Sequence, residues 1–223
     1  MQRFNVFLLV HKGLRAMMYD VSISLQHTDF AHAEEFPRSL EKLAATIDIF
    51  DSHAGHEDKY IFSMLEPFAA DLLHEMEAEH VTDHALSAQL RSLTDAFKTA
   101  SDPAQKARIG NEICHAFHEF IAFNLTHLNK EETVVNEALW NTYTDLDIIQ
   151  ANQRLVSTLS PDEAKNNAVW MIRSCSNMEI INWINAIKNN IPPQLFQLLF
   201  QIAEQELPPH RFEVIQNGIM SMA

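Results

Sequence analysis

His53-Ala-Gly-His-Glu57 sets a histidine and a glutamate four residues apart within an apolar stripe of Leu40, Leu43, Ile47, Phe50, Ile61 and Met64. Four residues of α-helix turn through about 400°, so the two side chains leave one face a turn apart and can grip one ion. The stripe predicts a helix over about 37–64, opened by Pro37 and closed at Glu66-Pro67. His56 lies about 60° around the helix from His53 and is an alternative to it, but the four-residue spacing to Glu57 favours His53.

Working outward, the same arrangement returns as His80-Val-Thr-Asp-His84 and His127-Leu-Asn-Lys-Glu131, while His11 sits in a first stripe of Phe4, Phe7, Leu8, Leu14, Met18, Val21 and Leu25. The chain carries its own control in His115-Ala-Phe-His-Glu119. That line continues through Arg108, Asn111, Glu112, Thr126 and Lys130, a polar face, whereas the line of His127 runs back through Phe123, Phe120, Ile113 and Ile109, an apolar one. His127 and Glu131 are therefore expected to point into a core, and His115 and Glu119 at water.

Helices are expected over about 4–28, 37–64, 68–100 and 103–140, with Ser101-Asp102-Pro103 supplying a cap and a proline at the first helical position. Four long helices with short connections imply an antiparallel up-down bundle in an all-α protein, with additional C-terminal helices. Measured from the turn at Pro67, His53 and Glu57 lie about 10 to 14 residues before it and His80 and His84 about 13 to 17 after it. At 1.5 Å per residue the pairs sit at one depth.

From about 144 the pattern changes to shorter helices separated by prolines: Ser160-Pro161-Asp162-Glu163 reads as a capping box, and Pro192-Pro193 and Pro208-Pro209 punctuate the rest. The expected division is 1–142 as the metal-binding bundle and 143–223 as a helical extension. Trp170, Ile180, Ile181, Trp183, Ile184, Leu195, Leu199 and Ile202 suit a small helical layer that covers the bundle or forms a homodimer or partner interface.

Only four glycines and 47% apolar residues in 223 agree with an almost wholly helical protein. A net charge of −14 leaves no basic footprint for nucleic acid. Cys114 and Cys175 are too few for a disulfide scaffold or thiolate site and read as reduced thiols of a cytoplasmic protein. No apolar run reaches the roughly 18 residues that span a bilayer, and Met1–Val10 has no cleavage site, so the chain is expected to be neither secreted nor membrane-embedded.

Burying five histidines and two carboxylates together is costly unless metal satisfies them. Nitrogen and oxygen donors without thiolate suit iron or manganese best, with zinc and copper also accommodated. Seven protein ligands on two ions leave at least one open position for dioxygen, peroxide or nitric oxide. Tyr60, about one turn beyond Glu57, is either a hydrogen-bond donor to such a ligand or an amphipathic residue at the core's edge.

The order His11, His53-x-x-x-Glu57, His80-x-x-x-His84, His127-x-x-x-Glu131, together with His11-Lys-Gly-Leu-Arg15 and Glu57-Asp58-Lys-Tyr-Ile-Phe62, resembles the hemerythrin-like (HHE cation-binding) domain over roughly residues 4–140. The resemblance implies an oxo- or hydroxo-bridged non-haem di-iron centre, with terminal ligands His11, His53, His80, His84 and His127 and bridging carboxylates Glu57 and Glu131. Oxygen-carrying hemerythrins place an aspartate five residues after the last histidine; here Glu131 stands at four and Glu132 at five, and bacterial members of the family favour the former. Three functions follow: reversible oxygen binding or redox sensing, turnover of peroxide or nitric oxide, or iron storage and delivery. The first is preferred because no acid, base or second substrate site stands out.

Overall fold

The structure, a computed structural model, describes residues 3–33 and 36–220. Among these it is helical throughout, with α1 Leu8–Gln26, α2 Arg38–Tyr60, α3 Ala70–Thr99, α4 Pro103–Lys130, a π turn at Glu131–Val135, and α5 Asn136–Thr142. α6 Asp145–Val156, α7 Pro161–Ser174, α8 Asn177–Ile187, α9 Pro193–Glu206 and α10 Pro209–Met220 follow. Among the described residues, no helix is long and apolar enough to cross a membrane. The expected break before Pro37 includes Glu34 and Glu35, which lie outside the described residues, and a single 3-10 turn, Phe30–His32, precedes them.

By contacts the chain divides into one unit of 1–6 and 17–158 and a second of 7–16 and 159–223. In the first unit, side-chain bonds give the helix directions. Thr28, just past α1, bonds Ser39 of α2 while Lys42 of α2 reaches Ser24 and Asp20 of α1, and Arg91 and His84 of α3 reach Asp48 and Asp51 of α2. Asn124 and Lys130 of α4 reach Asp83 and Glu75 of α3. As the residue number rises on one helix it falls on its neighbour, so successive helices are antiparallel. Phe50, Phe62, Phe117, Phe120, Leu40, Leu43 and Ile47 fill the core between them.

Sequence chemistry sets the ends. The Asp102 side chain accepts from the Gln105 amide at 2.9 Å, with Pro103 at the first helical position. At the far end of the unit, Arg3 bonds Asp145, the Trp140 carbonyl and the Tyr143 carbonyl at 2.6–2.7 Å, and α6 packs on α2. These bonds tie the end of α5 and the start of α6 to the chain's first residues.

The second unit has its own core of Ile172, Ile180, Ile181, Ile184, Leu199 and Ile202. Capping boxes at Ser160/Glu163 and Ser176/Glu179 start α7 and α8, and Lys12 meets Glu179 at 2.5 Å. Gly13 packs against Trp170, whose Cβ would lie 3.2 Å from any side chain added there. Leu195, expected in the layer, is 41% exposed instead.

Asp102→Ala removes the α4 cap and lowers the stability of the bundle by about 1 kcal/mol, read as a fall in urea midpoint, whereas Asp102→Asn keeps the cap and the midpoint.

Candidate metal centre

α2, α3 and α4 each turn an imidazole or carboxylate inward at one depth of the first unit. His53 Nε2 lies 3.1 Å from Glu57 Oε1 and His127 Nε2 lies 3.3 Å from Glu131 Oε1. His80 Nε2 sits 3.9 Å from an oxygen of each carboxylate. Glu131 is 0% exposed and Glu57 2%. Two ligand groups result, with one atom from each residue within 4.8 Å of the others: His53, Glu57 and Glu131, and His80, His127 and Glu131. Glu131 belongs to both.

The donors fit a cation. Two atoms bound at about 2.1 Å to one ion, at right angles, lie about 3.0 Å apart, and opposed ones about 4.2 Å; separations of 3.1–3.9 Å fall between. His80 Nε2 is buried and makes no hydrogen bond. A buried imidazole nitrogen left so is costly unless an ion takes it.

Carboxylates behind the rings aim these nitrogens. His80 Nδ1 meets Asp58 at 2.7 Å and His127 Nδ1 meets Glu79 at 2.7 Å, which turns both Nε2 atoms inward. Lys130 bonds Glu79 and Glu75, fixing the Glu79 carboxylate in turn. Phe62 stacks on His80 at 5.1 Å and Phe123 on His127 at 5.9 Å, walling that side with aromatic rings.

The electrostatics favour positive charge here. Burial alone would depress His127, but the hydrogen bond and charge of Glu131, with Glu79 and Glu57, outweigh it and raise the imidazole to about 9. Burial likewise opposes protonation of His80, and Asp58 and Glu57 more than offset it. Burial would raise Glu79 too, yet Lys130 and His127 hold it below the ordinary carboxylate value.

Glu131, not the half-buried Glu132, faces the group. The π turn begins at Glu131, so the α-helical spacing from His127 is kept and the register slips only beyond it, where Val135 and Asn136 are both buried. Such turns are frequent at functional sites. His11 is fully buried on α1, 5.3 Å from Phe7, in the stretch assigned to the second unit.

Two expected residues are not brought to the group. The His84 side chain is 47% exposed with Nδ1 on Asp51 at 3.0 Å, because the buried line of α3 runs Met76, His80, Asp83, Ser87, Leu90, Thr94, Phe97 in alternating steps of three and four. Asp83 takes the inward position instead. Tyr60 ends α2 with Lys59 over its ring at 5.1 Å, and its hydroxyl, drawn down by Lys59 and Thr158, faces the surface. His56 turns to Ser52 at 3.5 Å, and His115 and Glu119 are exposed as their polar line implies. Asp58 and Glu79 went unassigned as orienting groups, although each adjoins a candidate ligand in the chain.

A family model described as Hemerythrin HHE cation binding domain matches residues 4–139. No curated protein and no solved structure matches the chain.

The raised His127 gives a signed pH dependence. Its folded value of about 9 lies above the ordinary 6.5, so it adds stability to the metal-free fold that is complete below about pH 6.5 and lost as pH climbs through about 9. Coordination requires that proton to leave and strengthens over the same interval. The gap in Tm between metal-loaded and metal-free protein therefore widens from pH 6.5 to 9; a gap that narrows contradicts this assignment.

Proposed function

The chain belongs to the hemerythrin HHE cation-binding family, and we propose that its buried histidines and carboxylates hold two iron ions, bridged by oxide or hydroxide. In this reading the centre binds dioxygen or a related small ligand, peroxide or nitric oxide, for oxygen or redox sensing. The observation that carries it is the place of Glu131 in both ligand groups, since a shared carboxylate spans two ions and offsets their charge. Manganese or zinc suits the same donors.

His53 serves one ion and His80 and His127 the other, with Glu57 and Glu131 between them. The order of the sequence motif adds His11 as a further terminal ligand. With His84 held at the surface by Asp51, no third histidine reaches the His80–His127 side, which would leave a position open to a small ligand there. When bound, iron supplies reversible electron exchange with such a ligand. Asp58 and Glu79 keep the imidazoles aimed and basic. Phe62 and Phe123 exclude water from the same side, which favours holding a ligand over turning it over.

We place the protein in the cytoplasm, where the unbridged Cys114 and Cys175 stay reduced. The C-terminal unit, with Met178, Val214 and Met220 exposed, is assigned to a homodimer or protein-partner contact.

Protein purified without oxygen is expected to carry two irons per chain and to develop a visible charge-transfer band with oxygen that fades on its removal. Rapid consumption of peroxide would instead make it an enzyme, and a single zinc or no metal would overturn the di-iron reading. Among variants, His80→Ala loses at least one iron, whereas His84→Ala keeps both; loss of metal from His84→Ala would restore that residue to the ligand set.

A further inference from the structure

Asp83 is a buried carboxylate outside both ligand groups. It is 2% exposed, and among the described residues its one hydrogen bond comes from Asn124, whose Nδ2 donates at 2.6 Å. Asp83 lies one turn beyond His80 on α3 and Asn124 one turn before His127 on α4, so antiparallel packing sets this pair one layer from the histidines. A turn further along α3 is Ser87, fully buried, whose Oγ completes no hydrogen bond.

Across from Ser87, Asp51 of α2 leads to solvent. Burial would raise its carboxyl, but Arg91 and His84, which flank Ser87 on the same face of α3, hold it below the ordinary value. Arg91 bonds Asp51 and the exposed Asp48, each at 2.6 Å. Oxygen atoms of Asp48, Asp51, Ser87 and Asp83 thus mark a file from the surface to the histidine layer, through a core that is otherwise Phe50, Leu90 and Phe120. Apolar side chains would fill those inward positions of α3 at less cost, so packing does not explain them.

We propose that this file is the route by which divalent cations reach the buried centre, with Asp83 as a transient ligand and Arg91 closing the mouth. The route rests on the metal-binding reading above. Carboxylate and hydroxyl oxygens suit a hard divalent cation, and one carboxylate holds it weakly enough to pass it to the imidazoles and the two carboxylates of the centre. On the other side of the rings the carboxylates are already engaged: Asp58 by His80, and Glu79 by His127 and Lys130. At the mouth, the Arg91 guanidinium neutralises Asp48 and Asp51, and its side chain is 41% exposed.

Metal-free protein mixed without oxygen with cobalt(II) in a stopped-flow spectrometer tests the route, the ligand-field absorption reporting uptake and metal analysis the final count. Asp83→Asn keeps the shape and is expected to slow loading about tenfold at an unchanged final count, while Arg91→Gln, which frees two carboxylates at the mouth, speeds it about as much. A purely structural role would not shift the two rates in opposite directions, and the exposed Arg91→Gln keeps the test intact should Asp83→Asn fold poorly. Native-rate loading by both variants, or a lower final count in Asp83→Asn, overturns the route while leaving the metal centre standing. A native protein that takes up no cobalt overturns both.

Discussion

Two carboxylates, Glu57 and Glu131, are shut inside an apolar core within reach of the same imidazole nitrogen. Like charges so close and so dry repel strongly, and each has left its hydration behind. The arrangement requires positive charge between them. Without metal, protons on the histidines supply it: Glu131 above all raises His127 to about 9, and Asp58 and then Glu57 raise His80 against its burial. A bound cation would neutralise the carboxylates more fully and would also take the His80 nitrogen that no hydrogen bond satisfies.

The rest of the first unit follows from that constraint. Three antiparallel helices bring the candidate ligands to one depth because each carries its imidazole or carboxylate at a matching distance from its turn. Asp58 and Glu79 lie behind the rings, at the margin of the core, and Lys130 holds Glu79 in place. The aromatic residues Phe62 and Phe123 stack on the imidazoles and strengthen the electrostatics inside by keeping water away. A single misplaced turn in α4 would swing Glu131 out, and the π turn that begins there displaces only the residues after it.

Much of this was legible in the chain. The helical stripes around His53, Glu57, His127 and Glu131 located the inward face, and the polar line through His115 and Glu119 separated the surface pair from the buried one. The same reasoning placed the Asp102 and Ser160 caps. His84 shows where spacing misleads: two histidines four apart share a face, but in α3 the buried line bends back through Asp83 and Ser87, so the second histidine falls on its exposed flank. The signal was present in the run Met76, His80, Asp83, Ser87, Leu90, yet two polar residues at core positions disguised it. Tyr60 follows the same logic, since one turn past Glu57 α2 is already ending, and its ring meets Lys59. Partners behind the rings were not legible because Asp58 and Glu79 come from helix surfaces, and only the packing of neighbouring helices brings them to His80 and His127.

The central claim, a pair of ions sharing Glu57 and Glu131, is tested most directly by anomalous diffraction at the iron edge from crystals of the iron-loaded protein. The account predicts two peaks about 3.5–4 Å apart, one beside His53 and the other beside His80 and His127, with the two carboxylates between them. A single peak, or two that do not share Glu131, would contradict it.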